Sequence, residues 1–75
     1  MISFKISLNS IDDVKNFVNI VTGCPYDIDL TSGRYVVDAK SIMGIFSLDL
    51  SKPIEVNIHN DNADDLVKAL EDYKA

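Results

Sequence analysis

Residues 41–48 read Ser-Ile-Met-Gly-Ile-Phe-Ser-Leu, and this stretch holds more apolar side chains than one face of a short helix can bury. Ser41 is a suitable N-cap, because its hydroxyl can accept a hydrogen bond from one of the first helical amides, which lack backbone partners. At about 100° per residue, the five large apolar side chains point around most of a helix, whereas a core-facing helix needs a single stripe. Some of them must therefore face solvent or a partner.

Two arrangements of this helix are open from the sequence. Ile42 with Ile45, or Ile45 with Leu48, can face the core, which leaves Met43 and Phe46 among the candidates for an exposed patch. Ile42, Met43 and Phe46 either fold into a core that is short of material or form a docking surface. Met is an adaptable contact residue and aromatic residues supply much of the binding energy at interfaces, which suits a docking surface.

Regular periodicities predict the elements that follow this helix. Ile54, Val56 and Ile58 alternate with polar residues, which is typical of a strand with one solvated face. Residues 60–62, Asn-Asp-Asn, supply a turn and a cap for a helix over residues 63–73, whose apolar residues recur at helical spacing.

The preceding residues predict three strands and one longer helix. Residues 2–8 and 26–30 alternate apolar with polar side chains, and a Ser-Gly turn leads from the second of these strands to a hairpin partner at 34–37. Between them lies a helix that Ser10 caps and that Gly23 ends, with Gly23 expected in the left-handed conformation.

The predicted order is therefore strand, helix, strand, strand, helix, strand, helix (βαββαβα). Three of the four strands have one polar face, which favours a single antiparallel sheet with its helices packed on one side. We expect an α+β fold in one domain over residues 1–75, an open-faced β-sandwich with a four-stranded antiparallel sheet and three helices on one face.

Charge and composition exclude several classes of function. Twelve acidic and seven basic side chains give a net charge of −5, which opposes binding to nucleic acid or to anionic lipid. No segment approaches the roughly 20 apolar residues of a membrane span, so we expect no membrane partner and a cytoplasmic protein. The single cysteine, Cys24, and single histidine, His59, exclude an internal disulfide and a cysteine–histidine zinc site. No metal or cofactor is predicted, and Cys24 is interpreted as a small apolar filler.

The chain resembles the HPr family, the small phosphocarriers of the bacterial sugar phosphotransferase system. The likeness lies in residues 41–48, which are similar to the regulatory-serine helix of that family, in the strand at 54–58 and in the helix at 63–73 with its Ala-Leu-Glu at 69–71. It extends from about Asp27 to the end of the chain. The resemblance implies the same open-faced fold, no enzymatic activity and protein partners, among them HPr kinase or a transcriptional regulator.

The phosphate-accepting motif of that family, Gly-hydrophobic-His-Ala-Arg-Pro-Ala, has no counterpart here. Counting back without gaps from residues 27–30 places the motif on residues 8–14, so that Ser10 takes the histidine position and Asp12 the arginine position. A serine hydroxyl needs an activating base to accept a phosphoryl group, and Asp12 places negative charge where phosphate would bind. His59, far along the chain, is interpreted as a solvated strand-end residue. The resemblance therefore points to a histidine-less, Crh-like member that has lost phosphocarrier activity.

Ser41 has a structural and a regulatory interpretation. As a helix cap it needs no further role. In HPr proteins of Gram-positive bacteria the matching serine is phosphorylated by an ATP-dependent kinase, so the resemblance makes Ser41 a candidate for regulatory phosphorylation.

Three functions remain open at this point. The first is a non-catalytic regulatory or protein-binding module that acts through residues 41–48. The second is a divergent phosphocarrier with another acceptor, although docking to Enzyme I draws in the family on the two residues missing here. The third is a structural subunit that associates with itself through the apolar patch.

Overall fold

The computed structural model describes all 75 residues as four strands and three α-helices. The strands are β1 (Ile2–Ile6), β2 (Ile28–Ser32), β3 (Tyr35–Asp38) and β4 (Ile54–Ile58), and the helices are α1 (Ile11–Thr22), α2 (Ile42–Phe46) and α3 (Asp64–Ala69), followed by a 3-10 turn at Glu71–Tyr73. The strands form one antiparallel sheet in the order β1-β4-β2-β3. The predicted α+β architecture and element order are confirmed.

The core lies between one face of the sheet and the three helices. Register pairs Ile2 with Ile58 and Ile6 with Ile54, so the apolar residues of β1 and β4 share that face, and Leu30 of β2 joins them opposite Val56. Helices contribute Phe17, Ile45 and Leu66 among other buried residues. Each large apolar side chain that is fully buried contributes about 1.5–3 kcal/mol.

The open face of the sheet is less solvated than its polar sequence predicts. Asn57 is only 7% exposed, although the alternation in β4 places it on the solvated face. Its amide donates to Asp29 and Thr31 at 2.8 Å each, and its carbonyl oxygen accepts from the Ser3 hydroxyl at 2.8 Å. Neighbouring strands thus cover Asn57 and satisfy its polar atoms at the same time.

Helix α1 begins as predicted and ends differently. The Ser10 hydroxyl accepts from the Asp13 backbone amide at 3.1 Å, and the Asp13 carboxylate accepts from the Asn9 amide at 3.0 Å. Gly23 ends the helix in a right-handed conformation, with φ −76°, so its predicted left-handed cap is wrong. The only glycine with positive φ is Gly33, at +59°, in the turn between β2 and β3.

Helices α2 and α3 are shorter than the sequence indicates. Helix α2 has five residues, with Ser41 and Ser47 as its two caps. The predicted cap of α3 from residues 60–62 is also wrong: Ala63 is its N-cap and makes no side-chain capping bond, while Asn60 accepts from the Asn62 amide within the turn. None of the helices has the length and apolarity that crossing a membrane requires.

Candidate functional site

Ser41 holds the beginning of α2 and remains exposed. Its hydroxyl accepts from the Gly44 backbone amide at 3.2 Å, and its own carbonyl oxygen accepts from the Ile45 amide at 3.1 Å. The first bond satisfies an amide that the helix end would otherwise leave unpaired, and the second is the first regular backbone bond of the helix. The serine side chain is therefore both a cap and accessible from solvent.

The packing of α2 separates its apolar side chains into two sets. Ile45 and Leu48 are buried in the core, which selects the second of the two arrangements that the sequence allows, and Ile42 is half-buried against the same core. Met43 is 77% exposed and Phe46 is 42% exposed. We call these two side chains the α2 patch.

Phe46 lies in a groove between α2 and the beginning of α1. The groove has a volume of about 480 Å³, and its lining includes Phe46, Leu50, Ser10 and Ile11. The other lining residues are Leu8, Asn9 and Ser51, so no charged side chain lines it. The structure thus joins Ser10, the position that the resemblance assigns to the phosphate-accepting histidine, to the apolar surface of α2.

Ile11 is a site residue that the sequence interpretation missed. Its spacing from Val14 and Phe17 is the helical spacing typical of one buried stripe, but Ile11 is 61% exposed. At about 100° per residue, Ile11 lies roughly 90° from the middle of the stripe that Val14, Phe17 and Val21 form. This angular offset was available from the sequence and indicates a side chain at the margin of the buried face.

The groove offers poor chemistry for accepting phosphate. The Ser10 hydroxyl is engaged as the α1 cap, and Asp12 and Asp13 follow in the first turn. None of the groove residues is titratable, so none can act as a general base for Ser10. Two negative charges about 4 Å apart near a protein surface repel by roughly 4 kcal/mol, which disfavours phosphate beside these carboxylates.

His59 lies at the other end of the sheet from Ser10. Ser10 follows β1, which ends at Ile6. His59 follows β4, which ends at Ile58, and Ile58 pairs with Ile2 at the opposite end of β1. Four strand residues separate these ends, a distance of about 13 Å. His59 Nε2 lies within hydrogen-bond distance of Asp29 Oδ2, on the open face. The structure therefore does not bring the histidine to the beginning of α1.

Other titratable groups form no reactive centre. Burial, together with the negative charge of Asp65, raises the pKa of the Cys24 thiol, and the positive charge of Lys40 only partly opposes this. A raised pKa disfavours the nucleophilic thiolate. No group of His, Cys, Asp and Glu side chains has an arrangement that could hold a metal ion.

A family model and two solved structures are similar to this chain. The model described as "PTS HPr component phosphorylation site" matches residues 13–75, so the match begins after Ser10 and Asp12. The crystal structure of HPr-C-His from Thermoanaerobacter tengcongensis is 26% identical with a TM-score of 0.80, over 96% of this chain and 89% of that chain. The phosphocarrier protein HPr from Bacillus anthracis str. Ames is 26% identical with a TM-score of 0.73, over 99% and 94%. No curated protein matches the chain at a significant level.

The sequence match and the structural likeness agree with the fold built up from the residues. The matched segment takes in every element after the first turn of α1, and both solved structures superpose on nearly the whole chain. This chain belongs to the HPr family of the phosphotransferase system.

Proposed function

We propose that this chain is a non-catalytic, histidine-less member of the HPr family that binds a protein partner through the α2 patch and the adjoining groove. The observation that carries the proposal is the apolar groove in which Phe46 meets Ile11 and Leu50 beside Ser10. Ser10, the position that would handle phosphate in a carrier, here lines a groove without charged side chains. A cytoplasmic location goes with this proposal and is favoured by the single cysteine.

The exposed side chains of α2 suit a binding surface. Met43 and Phe46 project from a helix whose own fold is secured by Ile45 and Leu48, so the patch makes little contribution to the core. Burying Phe46 and Met43 under a partner would remove apolar area from water, and well-packed aromatic anchors contribute about 2 kcal/mol or more at interfaces. HPr kinase and a transcriptional regulator are the partner classes that the family relationship favours.

A non-catalytic role follows from the chemistry at the beginning of α1. A phosphoryl group on Ser10 would displace its cap bond to Asp13 and lie beside two carboxylates. The sole arginine, Arg34, is at the turn between β2 and β3 and does not line the groove. No cation is in place there to stabilise a phosphate.

Binding is tested by capture on immobilised protein from a lysate of the source organism. Met43→Asp and Phe46→Asp should each reduce the recovered partner at least 10-fold, because a carboxylate must then be desolvated in the interface. Asn16→Asp on the exposed face of α1 adds the same charge away from the groove and should not change recovery. Equal recovery with all three variants would reject the α2 patch as the binding surface.

We further propose that phosphorylation of Ser41 regulates this binding. The phosphate would add about 1.5–2 negative charges two residues from Met43 and thereby make burial of the patch costly. HPr kinase with ATP should label the wild-type chain and the Ser47→Ala variant but not Ser41→Ala. Ser47 is the matched control because it lies exposed at the other end of α2. Labelling that persists without the Ser41 hydroxyl would remove the regulatory proposal and leave the binding proposal standing.

A further inference from the structure

The two edges of the sheet are treated differently by the rest of the chain. The β1 edge is covered at its Lys5–Ser7 end by the C-terminal residues: the Ala75 amide donates to the Lys5 carbonyl at 3.0 Å, and the Ser7 amide donates to the Tyr73 carbonyl at 2.7 Å. An isolated bridge between Ile6 and Lys74 continues the pairing. The β3 edge has no covering segment, and uncovered edges are templates for pairing with another chain.

The backbone groups that β3 leaves unpaired follow from its register. Ser32 pairs with Tyr35 across the two-residue turn, and the Ala39 amide donates to the Ile28 carbonyl at 3.0 Å. Hydrogen-bonded pairs alternate along an antiparallel ladder, so Tyr35, Val37 and Ala39 direct their amides and carbonyls toward β2. Val36 and Asp38 direct theirs outward. The Asp38 carbonyl accepts from the Ser41 amide, but the outward amides of Val36 and Asp38 have no acceptor in the chain.

The sequence of this edge is complementary to itself. In an antiparallel pair centred on Val36, Val36 faces Val36 of the second copy, Tyr35 faces Val37, and Arg34 comes beside Asp38. Tyr35 is 71% exposed and Val36 is 64% exposed, although both are large and apolar or aromatic. The two ion pairs within the chain involve neither Arg34 nor Asp38. One oxygen of the Asp38 carboxylate accepts from the Lys40 amide at 2.9 Å, and no hydrogen bond within the chain occupies the other oxygen.

We propose that the β3 edge is a self-association surface, on which a second copy of this chain adds its own β3 antiparallel and centred on Val36. The outward amide of each Val36 donates to the Val36 carbonyl of the other copy, and the Asp38 amide donates to the Arg34 carbonyl. The resulting sheet is continuous across the two copies. No residue of β3 lines the groove at Phe46, so the β3 edge is distinct from that groove.

The charge pattern also disfavours a parallel arrangement of the two β3 strands. A parallel pair in register would place Arg34 beside Arg34 and Asp38 beside Asp38, and like charges opposite each other destabilise a strand pair. The antiparallel pair turns both repulsions into attractions. Because only a few residues pair, the dimer belongs to the small, weak class of interfaces and its charge contacts are screened by salt.

Sedimentation of the intact chain from about 10 µM to about 1 mM tests the proposal, because weak interfaces associate in this range. The wild type should shift from monomer to dimer, and Arg34→Asp, Asp38→Arg and Val36→Lys should each weaken dimerisation at least 10-fold. An equimolar mixture of Arg34→Asp with Asp38→Arg should form a heterodimer at least as well as the wild type, since each repulsive edge then meets its opposite. Circular dichroism establishes that each variant is folded, and Asp38→Lys replaces Asp38→Arg in the mixture if the latter fails to fold.

Amide exchange provides the second measurement. The Val36 and Asp38 amides should exchange more slowly as the protein concentration rises, while amides of the exposed first turn of α1 should not change. A wild type that stays monomeric at about 1 mM overturns the proposal. So does a dimer that Arg34→Asp and Val36→Lys leave intact, because association would then use another surface.

Discussion

Two serine hydroxyls make the same contact at the beginnings of two helices. Ser10 accepts from the amide of Asp13 at 3.1 Å, and Ser41 accepts from the amide of Gly44 at 3.2 Å. The resemblance described from the sequence assigns Ser10 to the phosphate-accepting position of the family and Ser41 to its regulatory serine. In this chain their local contacts already account for a serine at each place, so the functional assignment of either must come from a separate measurement.

Removal of either cap should therefore affect stability by a similar amount. We expect Ser10→Ala and Ser41→Ala each to lower the free energy of unfolding by about 1 kcal/mol, and Ser→Gly at either position by a few tenths. Urea unfolding of the four variants measures this. Unchanged midpoints for the alanine variants would contradict the capping role.

Asn57 should be the most sensitive polar residue of the sheet. Asn57→Leu removes the partner of Asp29, Thr31 and Ser3 under a covered surface, and we expect a loss of about 1–3 kcal/mol of stability. Glu55→Leu on the same face of β4 is the control, because Glu55 makes no side-chain hydrogen bond, and it should change stability by less than about 0.5 kcal/mol. Equal effects in urea unfolding would mean that the hydrogen bonds of Asn57 are not the cause.

Asp49 should contribute to the loss of stability at acidic pH. Hydrogen bonds from the Ser51 hydroxyl and amide lower the pKa of the Asp49 carboxyl in the folded chain. A carboxyl with a depressed folded pKa stabilises the protein above its unfolded pKa, and this stabilisation is lost as the pH falls through the folded pKa. Asp49→Asn should therefore make thermal stability fall less steeply below about pH 4. Superimposable acid limbs for wild type and Asp49→Asn would contradict the assignment.

At the scale of the element, α2 depends on the rest of the molecule. Five residues are too few for a stable isolated helix, because nucleation is unfavourable and needs compensation from tertiary packing. The packing comes from Ile45 and Leu48 below the helix, and the exposed patch lies on its other side. Stability and recognition are therefore assigned to different residues of the same short element.

Alanine substitutions along α2 should separate these two roles. Ile45→Ala creates a cavity in the core and should cost about 2–5 kcal/mol, whereas Met43→Ala on the exposed side should stay within about 0.5 kcal/mol. Thermal or urea unfolding measures both. A Met43→Ala variant as unstable as Ile45→Ala would place Met43 in the core and remove it from the proposed binding surface.

Over the whole molecule, the chain has the family fold, and its histidine and its arginine lie apart from the beginning of α1. Ser10 begins α1 at one end of the sheet, His59 lies at the other end, and Arg34 is at the β2–β3 turn. A phosphocarrier needs its acceptor and its cation at the same helix end, because the helix dipole and a positive charge act on one phosphate. Under the proposed non-catalytic role, the chain keeps the family fold without phosphoryl transfer.

We accordingly expect no phosphoryl transfer to this chain from phosphoenolpyruvate and Enzyme I. The HPr of Bacillus anthracis is the positive control, and radiolabel on the two proteins is compared under the same conditions. A Ser10→His, Asp12→Arg double variant should gain label if the assignment of these positions is right. Stable label on the wild-type chain would identify a divergent phosphocarrier and overturn the non-catalytic proposal.

The element order and most helix and strand assignments could be predicted from the sequence, because periodicity and capping are local signals. Alternation in residues 54–58 and the Ser10 cap depend on near neighbours along the chain, and both are present in the structure. Two helix ends were predicted wrongly. Asn60 forms its hydrogen bond within the turn at 60–62, which leaves Ala63 as the N-cap of α3. Gly23 ends α1 with a right-handed backbone conformation.

The sequence alone determined a small acidic α+β domain with an HPr-like order of elements, one apolar helix beginning at Ser41 and a histidine far along the chain from the beginning of α1. Tertiary structure decided that Ile11 is exposed beside Phe46, that Asn57 is buried, and that β3 is the uncovered edge. The reason is physical: periodicity and capping act over a few residues, whereas exposure and grooves depend on which distant segments the folded chain brings into contact.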